Sequence, residues 1–240
     1  MNGMIGLAGT LALLLLLGTA LGIADRRNFS PRWLLMAALL VAINDALLTR
    51  CYGLLPDVIG GEWNWQGKLA ALAALAATLA IAAVPVFGLR RSGFTLAQGP
   101  GSLKAALPVA SAYCGFFVLV AILFPSGQAS AEDVAFQLTM PGVEEESFYR
   151  GILLFALDQA FRGRKRLLGV DWGWGAVLSC LLFGMTHAFG YSEGSFSFDP
   201  VIMALTGIPS FIAVWLRLRT GSLLLPVLLH NFGNSFSFLA

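Results

Sequence analysis

Val143-Glu144-Glu145-Glu146-Ser147-Phe148-Tyr149-Arg150-Gly151 carries three carboxylates and a guanidinium between two apolar runs, Val134 to Met140 and Ile152 to Leu157. Charge is expensive in hydrocarbon, so ionisable groups at such depth face a cavity or a partner and mark function. The spacing sharpens this reading. On a helix, Glu146 and Arg150 stand at i and i+4 with the acid N-terminal, the better order for an ion pair. Glu145 points roughly 100° away from Glu146 at 3.6 residues per turn. Arg150 can therefore neutralise one carboxylate while its neighbour stays free for chemistry.

Around this stretch the 240-residue chain is 58% apolar and only 12% charged. Soluble domains are nearer one-quarter charged, so the composition implies an integral membrane protein of all-α class. The net charge of +2 says nothing about nucleic acid, because the basic residues form short clusters between apolar runs, and no nucleic-acid partner is expected. Cys51, Cys114 and Cys180 lie in or at the ends of apolar segments without metal-ligand spacing and read as packing residues. The first apolar run, Met4 to Ile23, follows Met1-Asn2-Gly3, which has no positive side chain, and precedes Arg26 and Arg27. That polarity is wrong for a cleaved signal and right for a first spanning helix.

A hydrocarbon core takes about 20 apolar residues per helix. Eight candidates result, at 4–23, 33–50, 68–89, 104–125, 134–160, 173–190, 199–216 and 222–239. With no repeat or low-complexity linker, 1–240 reads as one membrane domain with a buried polar cavity. Turns are expected at Gly60-Gly61, Gly99-Pro100-Gly101 and Pro125-Ser126-Gly127. Arg26, Arg27, Arg32, Arg90, Arg91, Lys104, Arg162, Arg164, Lys165, Arg166, Arg217 and Arg219 all follow odd-numbered helices. The alternate loops hold only Arg50 and Lys68, beside Asp57, Glu62, Glu132, Asp133, Glu193 and Asp199. The positive-inside rule then puts both termini outside the cytoplasm. All six tryptophans fall near expected helix ends, as interfacial anchors do. Asn44 and Asp45 read as a hydrogen-bonded or snorkelling pair near the interface, or alternatively as lining for the cavity that Glu145 faces. Arg90 to Lys104 reads as an interfacial basic segment.

Both histidines close distinctive patterns. Phe183-Gly184-Met185-Thr186-His187 ends the sixth candidate helix, and His230-Asn231-Phe232-Gly233-Asn234 places His230 and Asn234 one turn apart in the eighth. Such a set suits hydrolysis. A Glu beside an imidazole can hold a water and act as general base. A second imidazole with an Asn amide supplies donors for an oxyanion. Ser147 is a poor nucleophile candidate, with no base and orienter at readable spacing.

Glu145-Glu146-x-x-x-Arg150, Phe183-x-x-x-His187 and His230-x-x-x-Asn234 resemble the three motifs of the CAAX-protease and bacteriocin-processing (CPBP, or Abi) family, which includes the type II CAAX prenyl endopeptidases. Arg150-Gly151 and Arg219-Thr220-Gly221-Ser222-Leu223 are similar to the family's surroundings of those motifs. The resemblance covers about Gly142 to Phe236, so 131–240 reads as the catalytic helices and 1–130 as variable ones. It implies an intramembrane glutamic endopeptidase. In that reading Glu145 is the general base with His187, His230 and Asn234 stabilise the oxyanion, and Glu146 and Arg150 support them. Arg150 fixes the register against the extra Glu144.

The resemblance implies a membrane-anchored protein or peptide as substrate and a bacterial inner-membrane location. Cleavage removes a C-terminal sorting helix or processes an exported peptide; the alternative is a CAAX prenyl protein. No cofactor is expected. Two His and a Glu can also bind zinc, but His-Glu-x-x-His does not occur. The non-enzymatic alternatives are an immunity or chaperone-like membrane protein, and a transporter using carboxylates as relays. All the family positions are present, and no repeat symmetry supports transport. The geometry of the candidate helices places the site between the bilayer centre and the outer leaflet, with a Gly- and Ser-rich loop after His187 as a mobile gate.

Overall fold

The computed structural model describes residues 2–49, 60–123 and 129–236. Arg50, Cys51, Asp57 and the turn expected at Pro125-Ser126-Gly127 lie outside them, as do the final residues of the candidate helices ending at 50, 125 and 239. The first half holds α1 (Asn2–Ala24), α2 (Pro31–Thr49), α3 (Trp65–Ala83) and α4 (Leu103–Leu123). Next come α5 (Ala131–Thr139), α6 (Pro141–Glu146), a π-helical segment (Ser147–Leu153) and α7 (Leu154–Ala160). A hairpin of β1 (Lys165–Leu167) and β2 (Val170–Trp172) leads into α8 (Trp174–Ala188). A second hairpin, β3 (Phe189–Ser192) with β4 (Ser195–Phe198), precedes α9 (Pro200–Thr220) and α10 (Leu224–Phe236). Both hairpins turn through two residues of positive φ, Leu168-Gly169 and Glu193-Gly194, the backbone twist that two-residue hairpins favour.

Five helices among the described residues, α1 to α4 and α9, are long and apolar enough to cross a membrane. The expectation of eight full spans is corrected at two places. The stretch 134–160 is not one helix. Pro141 lacks an N–H and crowds the preceding turn, so α5 ends at Thr139 and α6 restarts with proline in its first turn. α8 is a shorter apolar helix of 15 residues. α10 covers the 13 described residues Leu224–Phe236, and residues 237–239 of its expected span lie outside the described ones.

The helix ends gather at two poles. At one, Ser30 and Arg162 donate backbone N–H groups to Ala160 and Asn28. The loop 84–102 lies against the end of α9: Leu223 N–H donates to Gly93 O and Gly99 N–H to Thr220 O. Arg217 donates to Arg91 O at 2.7 Å, and Arg219 and Trp215 reach Gly169 O and Leu168 O. The basic clusters named above thus share one pole. The loop is folded, because its backbone is paired with the end of α9 and the link that follows it. Gly93 has φ +87° and sits so close to the Arg217 guanidinium that a side chain would collide.

The opposite pole holds the starts of α1, α3 and α5 and the β3–β4 hairpin. There Trp65 Nε1–H donates to Glu132 Oε1 at 2.7 Å, Trp63 N–H donates to the same oxygen, and the Trp63 indole donates to Asp133. Asn64 caps α3 and Ser130 caps α5 in a reciprocal capping box with Asp133. The segment expected as a mobile gate is the β3–β4 hairpin, seated on α1 where Gly9 leaves room for the Phe189 ring.

The main core joins α1, α2, the π-helical segment, α7 and α8 through Leu14, Leu34, Phe148, Ile152, Leu157 and Leu182. A smaller one joins α4, α9 and α10 through Ala106, Ala110, Leu216 and Leu229. Leu16, Leu35, Ile122 and Leu205 are each at least 60% exposed on the long helices, a surface suited to lipid. The site lies between the two cores.

Candidate active site

Gly142 anchors α6. Its N–H donates to Asn231 Oδ1 at 2.7 Å, and a Cβ there would lie 2.6 Å from that oxygen, so only glycine lets α6 approach α10 this closely. Asn231 is a structural residue that the histidine motif had hidden. Past Glu146 the helix widens into π geometry, a feature that recurs at functional sites. This segment is wholly buried, from Ser147 through Leu153.

Within it the expected pair forms. Arg150 Nη1 lies 3.1 Å from Glu146 Oε1, with both side chains no more than 2% exposed. Arg150 also donates to Ser210 Oγ at 2.8 Å and stacks its guanidinium 4.1 Å from the Phe183 ring centre. His230 completes the group, with Nδ1 2.7 Å from Glu146 Oε1. The arginine-paired carboxylate can only accept, so Nδ1 carries the hydrogen and Nε2 is the atom that His230 turns to the cavity. His187 is fixed in the same sense. Its Nδ1 lies 2.8 Å from Phe183 O, a carbonyl that can only accept, which leaves Nε2 free.

Both Nε2 atoms face Glu145. Its Oε2 is 3.7 Å from His230 Nε2 and 4.0 Å from His187 Nε2. Glu145, Glu146, Arg150, His187, His230 and Asn234 all line one cavity of about 290 Å3. Its far wall is apolar, with Phe117, Leu205, Ile212 and Leu216. The six residues singled out by sequence therefore converge. His230 is in addition bound to Glu146, a contact that the sequence did not reveal.

Glu145 and His187 also line a second cavity of about 740 Å3, which we call the polar chamber for the charged and amide side chains set among its apolar ones. Asn44, Asp45, Lys68 and Glu144 line it. Asn44 and Asp45 thus line a chamber that Glu145 faces, the alternative reading rather than the interfacial one. Glu144 is only 4% exposed; what read as a surplus acid belongs to the chamber wall. Lys68 Nζ stands 3.9 Å from Glu145 Oε1. Sequence reasoning had counted Lys68 only as a loop charge. Its signal was position, a cation one turn inside an otherwise apolar helix. Ser210 gave no signal at all.

Residues 127–236 match the family model described as Type II CAAX prenyl endopeptidase Rce1-like. Those residues, just under half of the chain, are similar to the CAAX-protease family. No curated protein and no solved structure matches the chain. The Rce1-like segment holds α5 to α10 and all six site residues, while Asn44, Asp45 and Lys68 come from helices outside it. With its long apolar helices, the protein is an integral membrane protein. Among the described residues, no group of three or more His, Cys, Asp and Glu side chains has metal-holding geometry.

Proposed function

We propose that the protein is an intramembrane endopeptidase that cuts a membrane-anchored protein or peptide with water activated by Glu145 and His187. The observation that carries this reading is the position of Glu145 Oε2, 3.7 and 4.0 Å from two imidazole nitrogens whose partner nitrogens are already committed. Those gaps are too long for direct hydrogen bonds and suit one bridging water. A water donating to Glu145 Oε2 and to His187 Nε2 keeps its lone pairs free for a peptide carbonyl. As its oxygen bonds to the carbonyl carbon, Glu145 takes the proton. The oxyanion is met by the Asn234 amide and by His230 protonated at Nε2. Collapse breaks the C–N bond, and Glu145 returns the proton to the departing amine. Glu146, accepting from Nδ1–H, stabilises His230 as the imidazolium whose Nε2–H donates to the oxyanion, and Arg150 holds Glu146 in place.

The water activation in this proposal is metal-free. Glu146 Oε1 is already engaged by Arg150 and His230, and the guanidinium beside it opposes a dication. The single domain spans the chain, with the site on its C-terminal half.

The polar chamber bears on the side of cleavage. It is lined by Gly3 and Gly6 of α1, Thr49 of α2, Asn64 and Gly67 before and within α3, and Tyr191 of β3. These belong to the pole opposite the basic loops. By the positive-inside rule that pole is extracytoplasmic, with the N-terminus on it. This supports a bacterial inner-membrane enzyme that trims exported proteins held by a C-terminal helix. The family description, which names CAAX prenyl endopeptidases, supports the second reading, a prenylated substrate.

Membrane proteomes from cells with wild-type protein and with Glu145→Gln, read for new C-termini, test the activity. We expect Glu145→Gln, His187→Ala and His230→Ala each to lower cleavage by about 10²–10⁴-fold while membrane insertion is kept, and chelators to leave wild-type cleavage intact. Full activity in Glu145→Gln overturns the mechanism. Activity lost to chelation and restored by zinc overturns the metal-free part.

A further inference from the structure

Glu145 has two carboxylate oxygens with different neighbours. Oε2 faces the two imidazoles, and Oε1 faces the Lys68 ammonium at 3.9 Å. That separation is an ion pair without a hydrogen bond, between side chains 24% and 19% exposed. Lys68 comes from α3, outside the Rce1-like segment. Among the lining residues of the polar chamber it is the lysine or arginine set against three carboxylates, those of Asp45, Glu144 and Glu145.

Lys68 is itself held in place. Asn64 caps α3 by accepting from Gly67 N–H at 2.9 Å, and Trp65 ties the same turn to Glu132. Glu132 opens α5, which leads through Pro141 into α6 and Glu145. The Lys68 ammonium lies 5.9 Å from the Phe136 ring centre, again on α5. One clasp at the outer pole therefore sets both ends of the Lys68–Glu145 pair.

We infer that Lys68 is a positioning residue for Glu145, drawing Oε1 into the polar chamber so that Oε2 stays turned to His187 and His230. The inference rests on the endopeptidase reading above. Its physical basis is that each oxygen of a partly buried carboxylate is drawn toward the cation it faces, and Lys68 is the cation that faces Oε1. Arg150 cannot serve Glu145 in this way, being buried against Glu146, Ser210 and Phe183. In this protein the N-terminal helices then complete the chemistry of the C-terminal ones.

The test is Lys68→Met and Lys68→Arg in the full-length protein in nanodiscs, with kcat and KM measured separately. Misplacing a reacting group costs on the order of 10²-fold, so Lys68→Met is expected to lower kcat by about 10- to 100-fold with KM nearly unchanged. Lys68→Arg is expected to recover most of it. A rise in KM at constant kcat would make Lys68 a substrate contact and overturn the inference, and unchanged kinetics overturn it equally. Zero-length carbodiimide coupling supplies a readout free of activity. The amide joining Lys68 to the Glu145 peptide is expected in wild type and lost in Glu145→Gln, and its absence from wild type overturns the pairing. If cleavage is equal in wild type and Glu145→Gln while the amide forms, the endopeptidase reading has failed, not the pairing, and the catalytic role of Lys68 falls with that reading.

Discussion

Glu145 and Glu146 are adjacent in sequence and opposite in circumstance. Glu146 is 1% exposed and shares one oxygen with Arg150 and His230, whereas Glu145 stands between two cavities. Removing one partner of a buried pair strands the other charge, at about 3–5 kcal/mol. Glu146→Ala and Arg150→Ala are therefore expected to lower the melting temperature in detergent as well as activity. The double replacement Glu146→Gln/Arg150→Met should recover part of the stability and none of the activity. Single variants as stable as wild type would show that the pair is dispensable to the fold. This pairing was readable from sequence because i, i+4 spacing survives even where the helix widens. Lys68 was not, because its partner lies 77 positions away and no local period connects α3 to α6. Asn231 was missed for a related reason: beside His230 it looked like part of a motif, while its role is to meet the Gly142 backbone.

At the scale of elements, apolar runs located α1, α2, α4 and α9 to within a few residues, since each is continuous and nearly uncharged, while α3 ends at Ala83 rather than at the expected 89 because Pro85 holds Val84 extended. The stretch 134–160 misled because hydropathy does not register Pro141 as a break, and π geometry has no signature in composition. The outer clasp between α3 and α5 was equally hidden, although its tryptophans were expected at an interface. Here the indole N–H of Trp65 holds the Glu132 carboxyl below its ordinary range, and that of Trp63 does the same for Asp133. A carboxyl lowered in the fold contributes stability above its unfolded value of about 4, and that contribution is lost as pH falls through the folded value. Glu132→Gln is accordingly expected to melt below wild type at pH 7, with the gap closing as pH drops below about 4. A gap that is constant, or that widens in acid, would contradict the clasp. Because α3 carries Lys68, the same variant should also slow cleavage.

For the whole molecule, the two poles differ in charge, and that difference was legible before any coordinates were. The cavities were not, since a chamber between α1, α2 and α3 has no linear pattern. A cysteine at Ser192, on the exposed hairpin, is expected to react with an impermeant thiol reagent from outside intact cells. One at Arg166 is expected to stay protected until the membrane is opened. Both belong in a background without Cys51, Cys114 and Cys180; the reverse pattern would turn the polar chamber toward the cytoplasm and favour the prenylated substrate. The basic pole also has a history in time. Its 84–102 loop is tied to α9 and α10 by contacts such as Arg91–Arg217 and Thr95–Ser222, whose partners lie 126 and 127 positions apart. A ribosome adding about 5–20 residues per second needs roughly 6 to 25 s to cover that distance. Through that interval the nascent loop, already in the membrane, has backbone groups awaiting partners not yet made. A chain stopped after Leu218 should accordingly be cleared by cellular quality control far faster than one stopped after Phe236, which a pulse-chase of the two would reveal as different half-lives.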